Sequence, residues 1–79
     1  MVDKVNLSKD EVLMIDTATN IVTFAYVFGN VEIINGDGTV FATLNDYYDI
    51  YTVPANSGTY KLKGLSEYSA VYIFRSFYI

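Results

Sequence analysis

The chain has 79 residues, enough for one small domain, and a net charge of −4 from nine acidic side chains against five basic ones. It contains no Cys and no His, which excludes disulfide staples and the usual zinc, iron–sulfur and haem ligand sets, and it carries no basic patch of the kind a nucleic-acid binder shows. Hydrophobic residues make up 52% and aromatic ones 16%, a surplus for a domain that buries only about 60% of its unfolded surface, so self-association is expected.

Taken in chain order, residues 1–9 read as an N-terminal extension, with a turn of helix near Leu7 that Ser8 and Glu11 would cap. Residues 11–16 (EVLMID) are a first strand and 21–27 (IVTFAYV) a second, rich in β-branched and aromatic side chains that suit a pleated surface. With Thr17-Ala18-Thr19-Asn20 between them, the two read as a hairpin. Phe28-Gly29-Asn30 breaks the chain before a third strand, 31–34 (VEII). Asn35-Gly36-Asp37-Gly38 holds two strong hairpin dipeptides, which predicts a type I′ turn with φ > 0 at both central positions and a return strand over 39–44. A strand over 47–53 (YYDIYTV) ends at the Pro54–Gly58 loop. Residues 59–63 (TYKLK) alternate cleanly, Tyr60 and Leu62 against Thr59, Lys61 and Lys63, and a closing strand runs through "SAVYIFRSFYI". No window holds a helical period long enough to predict a helix. About six or seven short strands separated by turns predict an all-β fold, a small antiparallel β-sandwich, over residues 10–79.

Three patterns invite a chemical reading. Leu13-Met14-Ile15-Asp16-Thr17-Ala18 resembles the active-site turn of retroviral-type aspartic proteases, in which two Asp residues of a dimer share a proton. The small-residue pattern and bracing Gly that should follow are interrupted, and Asp is also the residue that begins a β-turn by accepting from the backbone ahead. Asn35, Asp37 and Gly38 fit part of a calcium loop, but Ile33 and Leu44 fall where ligands are required. Asp46, Asp49 and Glu67 lie among tyrosines and could serve a sugar, whose apolar faces stack on rings, although no Trp is present. No catalytic, cofactor-binding or metal-ligating residue is expected, and the chain is read as a non-enzyme.

The second half, "DYYDIYTVPANSGTYKLKGLSEYSAVYIFRSFYI", resembles the C-terminal end of the distal tail (Dit-type) proteins of long-tailed phages and prophages. Residues 53–58 would be that family's loop, 59–63 its amphipathic strand and 71–79 its closing strand, while "DEVLMIDTATNIVTF" is similar to its upstream strand and Asp-led turn. The loop departs from the family in carrying Ala55 where Gly is common. The resemblance implies a jelly-roll or galectin-like sandwich with a structural role in a tail or baseplate, other tail proteins as partners, and no catalytic residue.

The leading expectation is a non-enzymatic module of a phage or prophage tail that acts through protein–protein contacts and associates with itself. A carbohydrate-binding module for host recognition is the alternative, and an aspartic protease using Asp16 the second. The closing strand supplies the candidate interface: Tyr72, Phe74, Arg75, Phe77 and Tyr78. Its two alternations are both apolar, so one can face the core and the other must be covered by a loop, a neighbouring subunit or a partner. Arg75 shares the alternation of Val71 and Ile73. Neither a membrane-spanning run nor a signal sequence is apparent. The expected location is the cytoplasm on synthesis and the virion tail after assembly.

Overall fold

The computed structural model describes residues 1–77. It holds eight strands: β1 (Val2–Ser8), β2 (Val12–Asp16), β3 (Asn20–Phe28), β4 (Val31–Ile34), β5 (Val40–Leu44), β6 (Ile50–Val53), β7 (Thr59–Gly64) and β8 (Tyr68–Phe77). They form two four-stranded antiparallel sheets, one in the order β1-β8-β3-β6 and the other β2-β7-β4-β5. Every connection except β4–β5 passes from one sheet to the other. The chain is therefore one long hairpin, folded at β4–β5 and rolled up so that β1 meets β8, β2 meets β7 and β3 meets β6. That is the jelly-roll arrangement of a β-sandwich.

The two sheets contribute equally to the core. Leu7, Val22, Phe24, Val53, Val71 and Ile73 come from the first, and Ile15, Val31, Ile33, Leu44, Tyr60 and Leu62 from the second. The inward residues recur at every second position, as a half-buried pleat requires. Among the described residues no helix is long and apolar enough to cross a membrane.

Several expectations are corrected. β2 and β3 are not a hairpin: β2 pairs with β7 and β3 lies between β8 and β6, so residues 17–19 carry the chain between sheets. Short-range alternation shows that each run is a strand but not which strand it joins. The segment read as an extension is β1, paired with β8 without interruption from Val2↔Phe74 to Ser8↔Tyr68, which brings the strands to eight. Ser8 and Glu11 do meet, the Ser8 amide donating to Glu11 Oε1 at 2.9 Å, but they close the β1–β2 turn rather than cap a helix.

The β4–β5 turn also differs from a type I′ turn. Of its residues only Gly38 has positive φ, at 91°. The Gly38 amide donates to the Asn35 carbonyl at 3.0 Å, and a register shift after Ile33 leaves Phe41 as the extra residue on β5. The bulge turns the Phe41 ring onto Tyr60 and Tyr51, at centroid distances of 5.9 and 6.1 Å. Asp37, the residue of the partial calcium pattern, accepts at Oδ1 from the Thr39 hydroxyl at 2.6 Å and from the Thr39 amide at 3.0 Å. These bonds hold its carboxyl below the usual aspartate range. A carboxyl lowered by folding stabilises the fold above its unfolded pKa, and the contribution disappears as pH falls through the lowered folded value. Asp37→Asn should therefore reduce the melting temperature at neutral pH, and the difference from wild type should vanish in strong acid. Thermal scans by circular dichroism across that range check this; a difference that persists in acid would contradict it.

Candidate functional site

The two outer sheet faces are unlike. On the β2-β7-β4-β5 sheet, β7 presents Lys61 and Lys63, Glu32 stands opposite Lys63, and Asp16 lies opposite Thr59. Charges of both signs are interspersed there with Val12 and Met14, the composition of a solvated face. On the β1-β8-β3-β6 sheet, Val71 and Ile73 point into the core, which sends Tyr72 and Phe74 outward. Their rings lie 6.1 Å apart and each is about 40% exposed. The register places Val2 and Thr23 on either side of Phe74, and Lys4 and Ala25 on either side of Tyr72, with Ile50 beyond Ala25. Thr23 and Thr52 complete the row through a hydroxyl–hydroxyl bond of 2.9 Å. Lys4 is the one charged side chain that the register puts on this face.

Toward the end that carries the β1–β2, β3–β4 and β7–β8 turns, the same face opens into a groove of about 360 Å³. Ala70 is its floor, with Asn6 opposite on β1 and Phe28 opposite on β3. Phe28 gets there through a bulge. Tyr26 pairs with Val71 and Phe28 with Ala70, so Val27 is the extra residue and Phe28 takes the outward place that Val27 would otherwise hold. Lys4 and Ser8 continue the β1 wall, and Tyr68, opposite Ser8, closes the end of the groove. The turn behind Phe28 is locked onto β8. Ser69 Oγ donates to the Asn30 carbonyl at 3.1 Å, the Leu65 amide donates to the same carbonyl at 2.9 Å, and the Asn30 amide donates to Ser66 Oγ at 3.0 Å.

The candidate interface residues are divided by the fold. Tyr72 and Phe74 share the aromatic face, whereas Arg75 lies in the inward alternation and pairs with Asp3 at 2.8 Å. Phe77 is exposed at the end of β8, opposite Asn20 at the start of β3, and Tyr78 lies outside the described residues.

Asp16 is exposed, and its Oδ1 accepts the Ala18 amide at 2.8 Å, the bond of a turn-initiating Asp. The neighbouring Thr17 is fully buried and fastens this crossing to the 54–58 loop. Its hydroxyl donates to the Gly58 carbonyl at 2.6 Å and accepts the Ser57 amide at 3.0 Å. Asp49 Oδ2 accepts the amides of Asn45 and Asp46 at 2.8 and 3.0 Å, so it shapes the β5–β6 turn. Among the described residues no three acidic side chains converge as a metal site would need.

Phe28 and the β1 side chains were not expected here, because Phe28-Gly29-Asn30 reads as a chain break and 1–9 as an extension. A signal for β1 exists: Val5 and Leu7 alternate with Lys4, Asn6 and Ser8. No signal for the bulge is apparent, since both Val27 and Phe28 fit a strand. What the fold and face define is a small jelly-roll sandwich with one aromatic and one solvated sheet surface. Comparison with protein-family models, with curated proteins and with solved structures finds no match for the chain.

Proposed function

We propose that this protein is a non-enzymatic assembly module of the kind found in phage or prophage tails and baseplates, and that it associates with itself through the outer face of the β1-β8-β3-β6 sheet. The observation that carries this reading is the pair Tyr72 and Phe74, half exposed on a sheet face where Val2, Ile50, Ala25 and the bonded threonines surround them and Lys4 is the one charged neighbour. An apolar, aromatic centre with little charge is what the core of a protein interface presents. The solvated opposite face supplies the contrast within one molecule. The tail context rests on the likeness of residues 10–79 to the C-terminal end of distal tail proteins.

Sedimentation of the wild type over a range of concentrations should give a self-associating species. The double variant Tyr72→Ser/Phe74→Ser should weaken association by at least about tenfold, because each buried aromatic contributes about 1.5–3 kcal/mol. Met14→Ser on the solvated face should leave it unchanged. A wild type that stays monomeric at high concentration, or a double variant that associates as wild type does, would overturn the reading.

A further inference from the structure

The groove at the turn end of the aromatic face has a lining that protein association does not require. One wall is polar: Lys4, Asn6 and Ser8 project from β1 at successive outward positions. The other side is aromatic, with Phe28 raised by the bulge and Tyr68 at the end, both more than half exposed. Ala70, only 5% exposed between the larger Tyr68 and Tyr72 along β8, lies at the base. Strands about 4.8 Å apart put Asn6 and Phe28 roughly 10 Å apart across Ala70. The volume of about 360 Å³ falls within the range of small-molecule sites, roughly 300–1,000 Å³.

A saccharide ring has this two-sided chemistry. Its C–H faces are apolar and stack on aromatic rings, while its rim of hydroxyls needs donors and acceptors at the side. Asn6 offers both a carbonyl and an amide, and Ser8 a hydroxyl that donates or accepts. Lys4 sharpens the class. It is the only charged residue in the lining, and the one ion pair among the described residues joins Arg75 to Asp3, which leaves the Lys4 ammonium uncommitted. Glu11, on the β1–β2 turn, is turned onto the Ser8 amide. A positive charge beside a stacking surface in a protein of net charge −4 selects a ligand that brings its own carboxylate.

We infer that the Ala70 groove binds a carboxylate-bearing pyranose, such as a uronic or sialic acid unit of a glycan. The ring lies over Ala70 against Phe28 and Tyr68, and the carboxylate faces Lys4. The site adjoins the Tyr72 and Phe74 patch assigned to assembly, with Lys4 beside Tyr72 at the boundary. The N-terminus sits away from it, with its ammonium donating to the Arg75 carbonyl at 3.3 Å. A tag at the N-terminus leaves the groove open.

The test is an array of uronate-bearing and sialylated glycans printed beside their neutral counterparts. Wild type should retain at least one acidic glycan over its neutral partner. Lys4→Gln should cut that affinity about tenfold or more and abolish the preference, in line with the loss of a charge-assisted bond. Ala70→Phe should eliminate binding by filling the floor, and Phe28→Ala should do so by removing the stacking wall. Phe28→Ala serves even if Ala70→Phe perturbs folding, because Phe28 is exposed. Retention of no acidic glycan over its neutral counterpart, or wild-type binding by a folded Phe28→Ala variant, would overturn the assignment.

Discussion

Phe24→Ala is expected to cost the fold about 3–5 kcal/mol, the largest loss of any single side-chain truncation in the core. Phe24 is the largest of the fully buried side chains, held at the centre of β3 with Ile73 opposite on β8 and Tyr51 opposite on β6. Its ring meets that of Tyr60 edge-on from the other sheet, at a centroid distance of 6.4 Å. Truncation removes apolar burial from both sheets and leaves a cavity between them, a change that costs about 3–5 kcal/mol. At about 0.05–0.15 kcal/mol per residue, a domain of this length has about 4–12 kcal/mol in total. The loss is at least about a quarter of the total and equals the whole at the lower end of that range. Urea unfolding followed by circular dichroism should show a truncated or absent native baseline for Phe24→Ala. Phe28→Ala, which removes a ring from the surface, should stay within about 0.5 kcal/mol of wild type. A Phe24→Ala protein as stable as wild type would mean that the two sheets do not share this core.

Phe24 also marks how far the sequence could be read. Val22 and Phe24 alternate with Thr23 and Ala25, and that period alone predicts a half-buried strand. The same logic places β4 with its observed ends and β7 within one residue. It fails where two residues compete for one face. In "SAVYIFRSFYI" both alternations are apolar, and only the β1 pairing and the packing of Val71 and Ile73 on the opposite sheet decide that Tyr72 and Phe74 face outward. Arg75, a candidate interface residue on sequence, shares the alternation that turns inward, and its guanidinium pairs with Asp3 on the edge strand β1.

Strand order was hidden for a different reason. A jelly roll pairs strands distant in sequence, so β2 and β3 can be neighbours in the chain and belong to different sheets. Closure depends on details such as the buried Thr17 hydroxyl, which ties the β2–β3 crossing to a loop forty residues on. Tyr47 and Tyr48 were read as the start of β6, but their backbone lies in the β5–β6 turn and their rings are largely exposed. The candidate groove combines both failures. Its β1 wall needed the distant pairing with β8, and its Phe28 wall needed a one-residue bulge that propensity does not signal.

Gly29 connects the stability of the sandwich to the shape of that groove, and Gly29→Ala is expected to damage both. Gly29 has φ of 74°, a left-handed conformation that costs a residue with a Cβ about 1–2 kcal/mol. A Cβ there would also run into the Tyr68 carbonyl oxygen and lie 3.0 Å from both Ser69 Cα and Ser69 Oγ. The first two are backbone atoms of β8, so relief requires β3 and β8 to separate where Phe28 meets Ala70. Overpacking of this kind adds about 1–3 kcal/mol, for a total of about 2–5 kcal/mol. Gly38→Ala is the internal comparison. Gly38 also has positive φ, but a Cβ there meets nothing within 4 Å, so only the conformational cost applies. Urea midpoints should rank wild type above Gly38→Ala and Gly38→Ala well above Gly29→Ala. The Gly29 variant should also lose protection from amide exchange at the β3–β8 junction around Ala70 before the rest of the sheet. Equal losses at the two glycines would mean that the close approach of the β3–β4 turn to Tyr68 is not what holds Phe28 against the groove.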